Sequence, residues 1–125
     1  MAVSDSYRAF VVEQLSKAAP AVHARRMFGG YGIYQSQLIF AIISGDVLYM
    51  KTDDQTRAAY EARGSMAFDP HGDGRVSMQY YQLPEDILED RELLREWTEA
   101  AIGAARRTKA SKGKSARKGS KRRPK

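Results

Sequence analysis

Apolar residues recur at helical spacing between positions 5 and 19, where Tyr7, Phe10, Val11, Leu15 and Ala18 share one stripe. Ser4 or Asp5 is placed to cap the start of that helix. Pro20 closes it, because the residue before a proline avoids the α region. The period then changes. Residues 24–28 (ARRMF), 32–35 (GIYQ), 38–44 (LIFAIIS) and 47–52 (VLYMKT) read as four strands. The glycine pair Gly29-Gly30 falls between the first two. Gly45-Asp46 joins the last two as a tight hairpin, since glycine takes the positive φ that such turns require. The run at 38–44 is apolar on both faces and is expected in the middle of a sheet. The run at 47–52 mixes Lys51 and Thr52 with Leu48 and Met50, so it is expected to be half exposed.

A second helix follows over QTRAAYEAR, capped by Asp53 or Asp54 and stopped at Gly64. The segment DPHGDG at 69–74 has the composition of a turn and leads into RVSMQYYQL, a strand. Pro84 suits the first turn of a short helix through Leu88. Asp90 then caps a final helix with an apolar stripe of Leu93, Leu94, Trp97, Ala101 and Ala104, in which Trp97 is expected to be mostly buried. Short connections in this order favour an antiparallel sheet with helices packed on one face. The fold class is therefore α+β, a two-layer sandwich.

Charge sets the boundary of the domain. Residues 1–107 hold 12 Lys and Arg against 15 Asp and Glu, whereas residues 108–125 hold nine cations and no acid. The net charge of +6 thus averages a mildly acidic body and a strongly cationic stretch. From Thr108 onward no apolar residue exceeds alanine, so residues 108–125 are expected to be a disordered basic tail after a single domain at 1–107. The cations Lys109, Lys112, Lys114, Arg117, Lys118, Lys121, Arg122, Arg123 and Lys125 are the candidate nucleic-acid contacts, because phosphate neutralisation releases counterions whatever the base sequence. The N-terminus lacks the layout of a secretory signal, and the longest apolar run, LIFAII, is far too short to cross a bilayer. A cytoplasmic protein with no membrane role is expected.

Candidate chemistry adds little. With no cysteine, thiolate metal sites and disulfides are excluded. His23 and His71 stand far apart, and the Asp69–Gly74 stretch lacks the glutamate that closes a calcium loop. Gly29-Gly30-Tyr31-Gly32 lies between two strands, not before a helix, and reads as a tight turn or bulge instead of a phosphate cradle. The acids Glu85, Asp86, Glu89, Asp90 and Glu92 sit at helix starts, where they complement the macrodipole. No metal, no cofactor and no catalytic activity are expected. On a strand, neighbouring residues point to opposite faces, so Arg25-Arg26 and Tyr80-Tyr81 each divide between the two sides. Arg25, Arg26, Tyr31 and Tyr81 are the candidate partner surface.

The run RRMFGGYGIY, then LIFAII, LYMKTDDQTRAAYEARGS, VSMQYYQLPEDILED and a Leu-Leu-x-x-Trp helix resembles the TfoX/Sxy N-terminal domain family across about residues 5 to 105. The elements Met27–Tyr34 and Ser77–Pro84 carry most of the likeness. The resemblance implies a secretion-chaperone-like α+β fold with an antiparallel sheet. It also implies a role in regulating competence through transcription, together with the cyclic-AMP receptor protein. The regulators concerned carry a second, C-terminal domain, whereas here the basic tail stands in that place. The expected function is a non-enzymatic regulatory or adaptor domain, monomeric or homodimeric, with a protein partner and tail-mediated nucleic-acid binding. The alternative is a small chaperone-like protein-binding module with no nucleic-acid role.

Overall fold

Ser4 opens the first helix: its Oγ accepts the Tyr7 backbone N–H at 3.2 Å, and helix α1 runs Asp5–Ala18. In the computed structural model the described residues are 4–27, 29–70 and 72–122, with side chains described as far as residue 110. The order continues with β1 (Val22–Met27), β2 (Gly30–Gln35), β3 (Leu38–Ser44) and β4 (Val47–Lys51), then α2 (Arg57–Ala62). After that come β5 (Ala67–Phe68), β6 (Ser77–Gln82), α3 (Glu85–Leu88) and α4 (Arg91–Arg122). The six strands form one sheet, ordered β1-β2-β3-β4-β6-β5, with every neighbouring pair antiparallel. This is the expected α+β two-layer sandwich.

Directly paired residues on antiparallel strands share a face. Ala24, Ile33, Ala41, Met50, Tyr81 and Ala67 therefore make one continuous row across all six strands. That row is the floor of the core, onto which α1 brings Val11 and Leu15 and α4 brings Leu94, Ala101, Ile102 and Ala105. Among the described residues the core cluster ends at Ala105. The register between β2 and β3 shifts after Ile33, which leaves Phe40 as the extra residue of a bulge. Phe40 and Ala41 are both fully buried as a result.

The glycine turn is structural, as expected. Gly29 has φ +77°, and a methyl built on Gly30 would press into the Ile43 carbonyl oxygen of β3. Gly45 and Asp46 both have φ near +57°, the geometry of a type I′ hairpin. The 69–74 segment is a turn held by Asp69, whose carboxylate accepts the amides of Gly72 and Gly74 at 2.8 and 3.0 Å. His71 lies outside the described residues, as does Phe28.

Two expectations change. Trp97 is only partly buried: it sits at the flank of the core, edge-on to Tyr60 at 4.7 Å with Arg63 over its ring, while Thr98 takes the enclosed position. Lys51 is 6% exposed, not half exposed, because β6 and the 105–109 stretch of α4 close over it. Helix α4 continues to Arg122, past the boundary at 107. Elongating an existing helix needs no new nucleus, and Ala, Lys and Arg are good helix formers. No helix among the described residues is long and apolar enough to cross a membrane.

Candidate functional site

The sheet divides the candidate partner residues by its two-residue period. Arg25 is exposed on the face turned away from the helices, with its guanidinium 5.5 Å from the centre of the Tyr34 ring. His23 stacks on the same ring at 5.6 Å, and its Nε2–H donates to the Ser36 carbonyl at 2.6 Å. Arg26 lies on the helix side, 5.7 Å over Tyr31, which Arg8 of α1 approaches to 5.2 Å. Tyr31 is thus half-buried between two guanidinium groups. It belongs to the rim of the core, not to the open face.

Tyr81 is not a partner surface. At 3% exposure its ring lies in the core row beside Met50, and its hydroxyl donates to Glu61 Oε2 at 3.0 Å. Burial, reinforced by that carboxylate, raises its hydroxyl above the ordinary phenol value. The outward member of the pair is Tyr80. Lys51 pairs directly with it, and the ammonium stands 5.2 Å from the ring centre while donating to Gln79 Oε1 at 2.6 Å. Burial, reinforced by electrostatic coupling to Tyr34, pushes the Tyr80 hydroxyl up to about 12, so the Tyr80 ring stays neutral at physiological pH.

Sequence reasoning missed Tyr34, Lys51 and Tyr80. The signal was present in the alternation: counting outward from Arg25 places Met27 on the same face, and pairing then carries that face across the sheet. Two cross-strand rows emerge. One runs Arg25, Gly32, Ile42, Tyr49, Gln82; the other contains His23, Tyr34 and Ile39, with Lys51 and Tyr80 beyond. Tyr34 and Ile39 both lean toward Gly32, where an added Cβ would meet their atoms at 3.1 and 3.0 Å. A cleft of about 300 Å³ opens at the end of the second row, lined among others by Ile39, Lys51, Tyr80, Thr108 and Lys109.

The junction between body and tail is pinned. Arg107 donates from Nε and Nη2 to the Asp53 carboxylate at 2.6 and 3.2 Å, and Arg106 Nη2 donates to Gln35 Oε1 at 3.2 Å. Asp53 also caps the turn into α2, accepting the amides of Gln55 and Thr56 while its own N–H donates to Thr56 Oγ1. Of the nine tail cations, Lys109 is exposed. The side chains of Lys112, Lys114, Arg117, Lys118, Lys121, Arg122, Arg123 and Lys125 lie outside the described residues.

Hydrogen bonds from Arg107 hold the Asp53 carboxyl below the usual carboxylate value, with the two backbone amides adding to the effect. A depressed folded value means the unfolded chain binds more protons as the pH falls. The stabilisation is therefore complete above the ordinary carboxylate range and is lost as acid protonates Asp53. Arg107 is 41% exposed, so solvent screening limits the pair to roughly 0.5–1 kcal/mol. Arg107→Gln is expected to lower the urea midpoint at pH 7 and to lower it much less at about pH 2, well below the ordinary carboxylate range. An equal loss at both values would assign Arg107 a packing role instead.

Among the described residues no group of three or more His, Asp or Glu converges as a metal site. The TfoX N-terminal domain family matches residues 13–105, which takes in the whole sheet and the packed part of α4 and stops before the basic stretch. No curated protein matches the chain.

Proposed function

The chain belongs to the TfoX N-terminal domain family, and from that membership we propose a regulatory, non-catalytic domain that acts on transcription and holds nucleic acid through its basic stretch. The carrying observation is the division of charge. Residues 1–107 have more acids than bases, and residues 108–125 have nine bases and no acid. Such a stretch follows a phosphate backbone without reading sequence, since its affinity comes from counterion release. The pinned arginines add a mechanical consequence. Arg106 and Arg107 tie the last packed turn of α4 to β2 and to the start of α2, so the stretch leaves the body from a fixed point. Whatever the folded body grips is then held beside the nucleic acid, which raises its effective concentration there.

The test keeps the chain length and removes the charge. Replacing the nine Lys and Arg of residues 109–125 by Gln is expected to abolish duplex binding, which for nonspecific contacts has a Kd on the order of 10⁻⁴–10⁻⁶ M at physiological salt. Fluorescence anisotropy on a labelled duplex reads the loss, and circular dichroism checks that the body is intact. Unchanged affinity in the neutral variant would end this reading.

A further inference from the structure

The six strands contain no aspartate or glutamate, although the body as a whole has more acids than bases. Every carboxylate of the body sits on a helix, a turn or a loop. The helices take the Ile33–Ala41–Met50–Tyr81 face, and the opposite face carries half-buried rings interleaved with cations. Arg25 and His23 flank Tyr34, and Lys51 lies against Tyr80. Helix α4 then brings Thr108 and Lys109 to the cleft that Lys51 and Tyr80 line. The row of rings therefore ends where the polycationic stretch begins.

We propose that this open face is a stacking platform for a single-stranded polynucleotide, with bases on Tyr34 and Tyr80 and the backbone led past Arg25 to Lys109. The inference rests on the nucleic-acid reading above and deepens it by naming the strand type. Aromatic rings on an open sheet bind unpaired bases of any sequence, because every base has a π-face, and cations beside the rings hold the phosphates. A duplex hides its bases in the stack and gains nothing from the rings. The face thus discriminates where the tail does not. A sheet face whose strands carry no carboxylate, although Asp69 lies near Tyr49, and which leads toward nine cations fits a polyanion better than a protein segment of ordinary charge.

The test uses the full-length chain and three probes: an oligothymidylate and an oligouridylate of about twelve nucleotides, within the site size of such platforms, and a duplex of matched length. Tyr34→Leu keeps apolar cover over Gly32 but removes the ring; Tyr34→Phe keeps the ring. The leucine variant is expected to lose about tenfold in affinity for either single strand and to hold duplex affinity, while the phenylalanine variant matches the parent. Arg25→Ser, at an exposed position that folding does not need, is expected to weaken single-strand binding in the same selective way. The oligouridylate arm tells RNA from DNA as the natural source. Equal losses on duplex and single strand, or no loss in the leucine and serine variants, would overturn the platform and leave the face to a protein segment. Failure of the tail reading is a separate result: the charge-neutral tail would then keep duplex binding, whatever Tyr34→Leu does to single strands.

Discussion

Phe40→Ala is expected to destabilise the domain by about 3–5 kcal/mol, the usual range for truncating an enclosed phenylalanine. Phe40 is fully buried and is the extra residue of the β3 bulge, and both it and its neighbour Ala41 are enclosed in the core. Helix α4 packs over β3, and the cavity cannot collapse without moving that helix or the central strand. Since small domains are stable by only about 5–15 kcal/mol, the loss is a large share of the total. Urea unfolding followed through Trp97, which touches Tyr60 of α2, reads it directly. Phe40→Leu, which keeps most of the volume, is expected to cost far less than the alanine variant. A loss below roughly 1 kcal/mol in the alanine variant would mean that Phe40 is not enclosed and that the bulge register is wrong.

The second large effect is in affinity. With six of the nine tail cations engaged on duplex DNA, log K falls against log salt with a slope of about −5. Raising salt from about 50 to 200 mM is then expected to weaken duplex binding on the order of a thousandfold. A change of only a few-fold over that range would mean one or two phosphate contacts, too few for a tail-borne interaction.

The division of Arg25 from Arg26 was legible in the sequence, because strand alternation alone separates them. So were the capped start of α1, narrowed to Ser4 or Asp5, the hairpin at Gly45-Asp46 and the need for glycine before β2. The division of Tyr80 from Tyr81 was legible in kind but not in sense. Which ring turns inward depends on pairing with β4, where Tyr81 meets Met50 and Tyr80 meets Lys51 across some thirty residues of chain. The Phe40 bulge left no trace, because LIFAII is apolar throughout and offers no alternation to break. Strand β5 is only Ala67–Phe68, held by its pairing with β6 and by the contact of Phe68 with the Tyr49 ring at 4.8 Å. Two residues carry no period. Lys51 looked exposed because it is charged and Thr52 follows it, and its burial comes from Gln79, Tyr80 and the 105–109 stretch of α4. The open face was missed for the same reason: its members lie on five strands, and only the register assembles them.

The most direct test of the central claim is the salt dependence of duplex binding for the full chain and for a chain ending at Arg107. Among the described residues the core cluster ends at Ala105, so the shorter chain keeps all of it together with both anchoring arginines. The prediction is a slope of about −5 for the full chain and weak, nearly salt-independent binding for the shorter one. Equal affinity and equal slope in the two chains would contradict it and place duplex recognition on the folded surface.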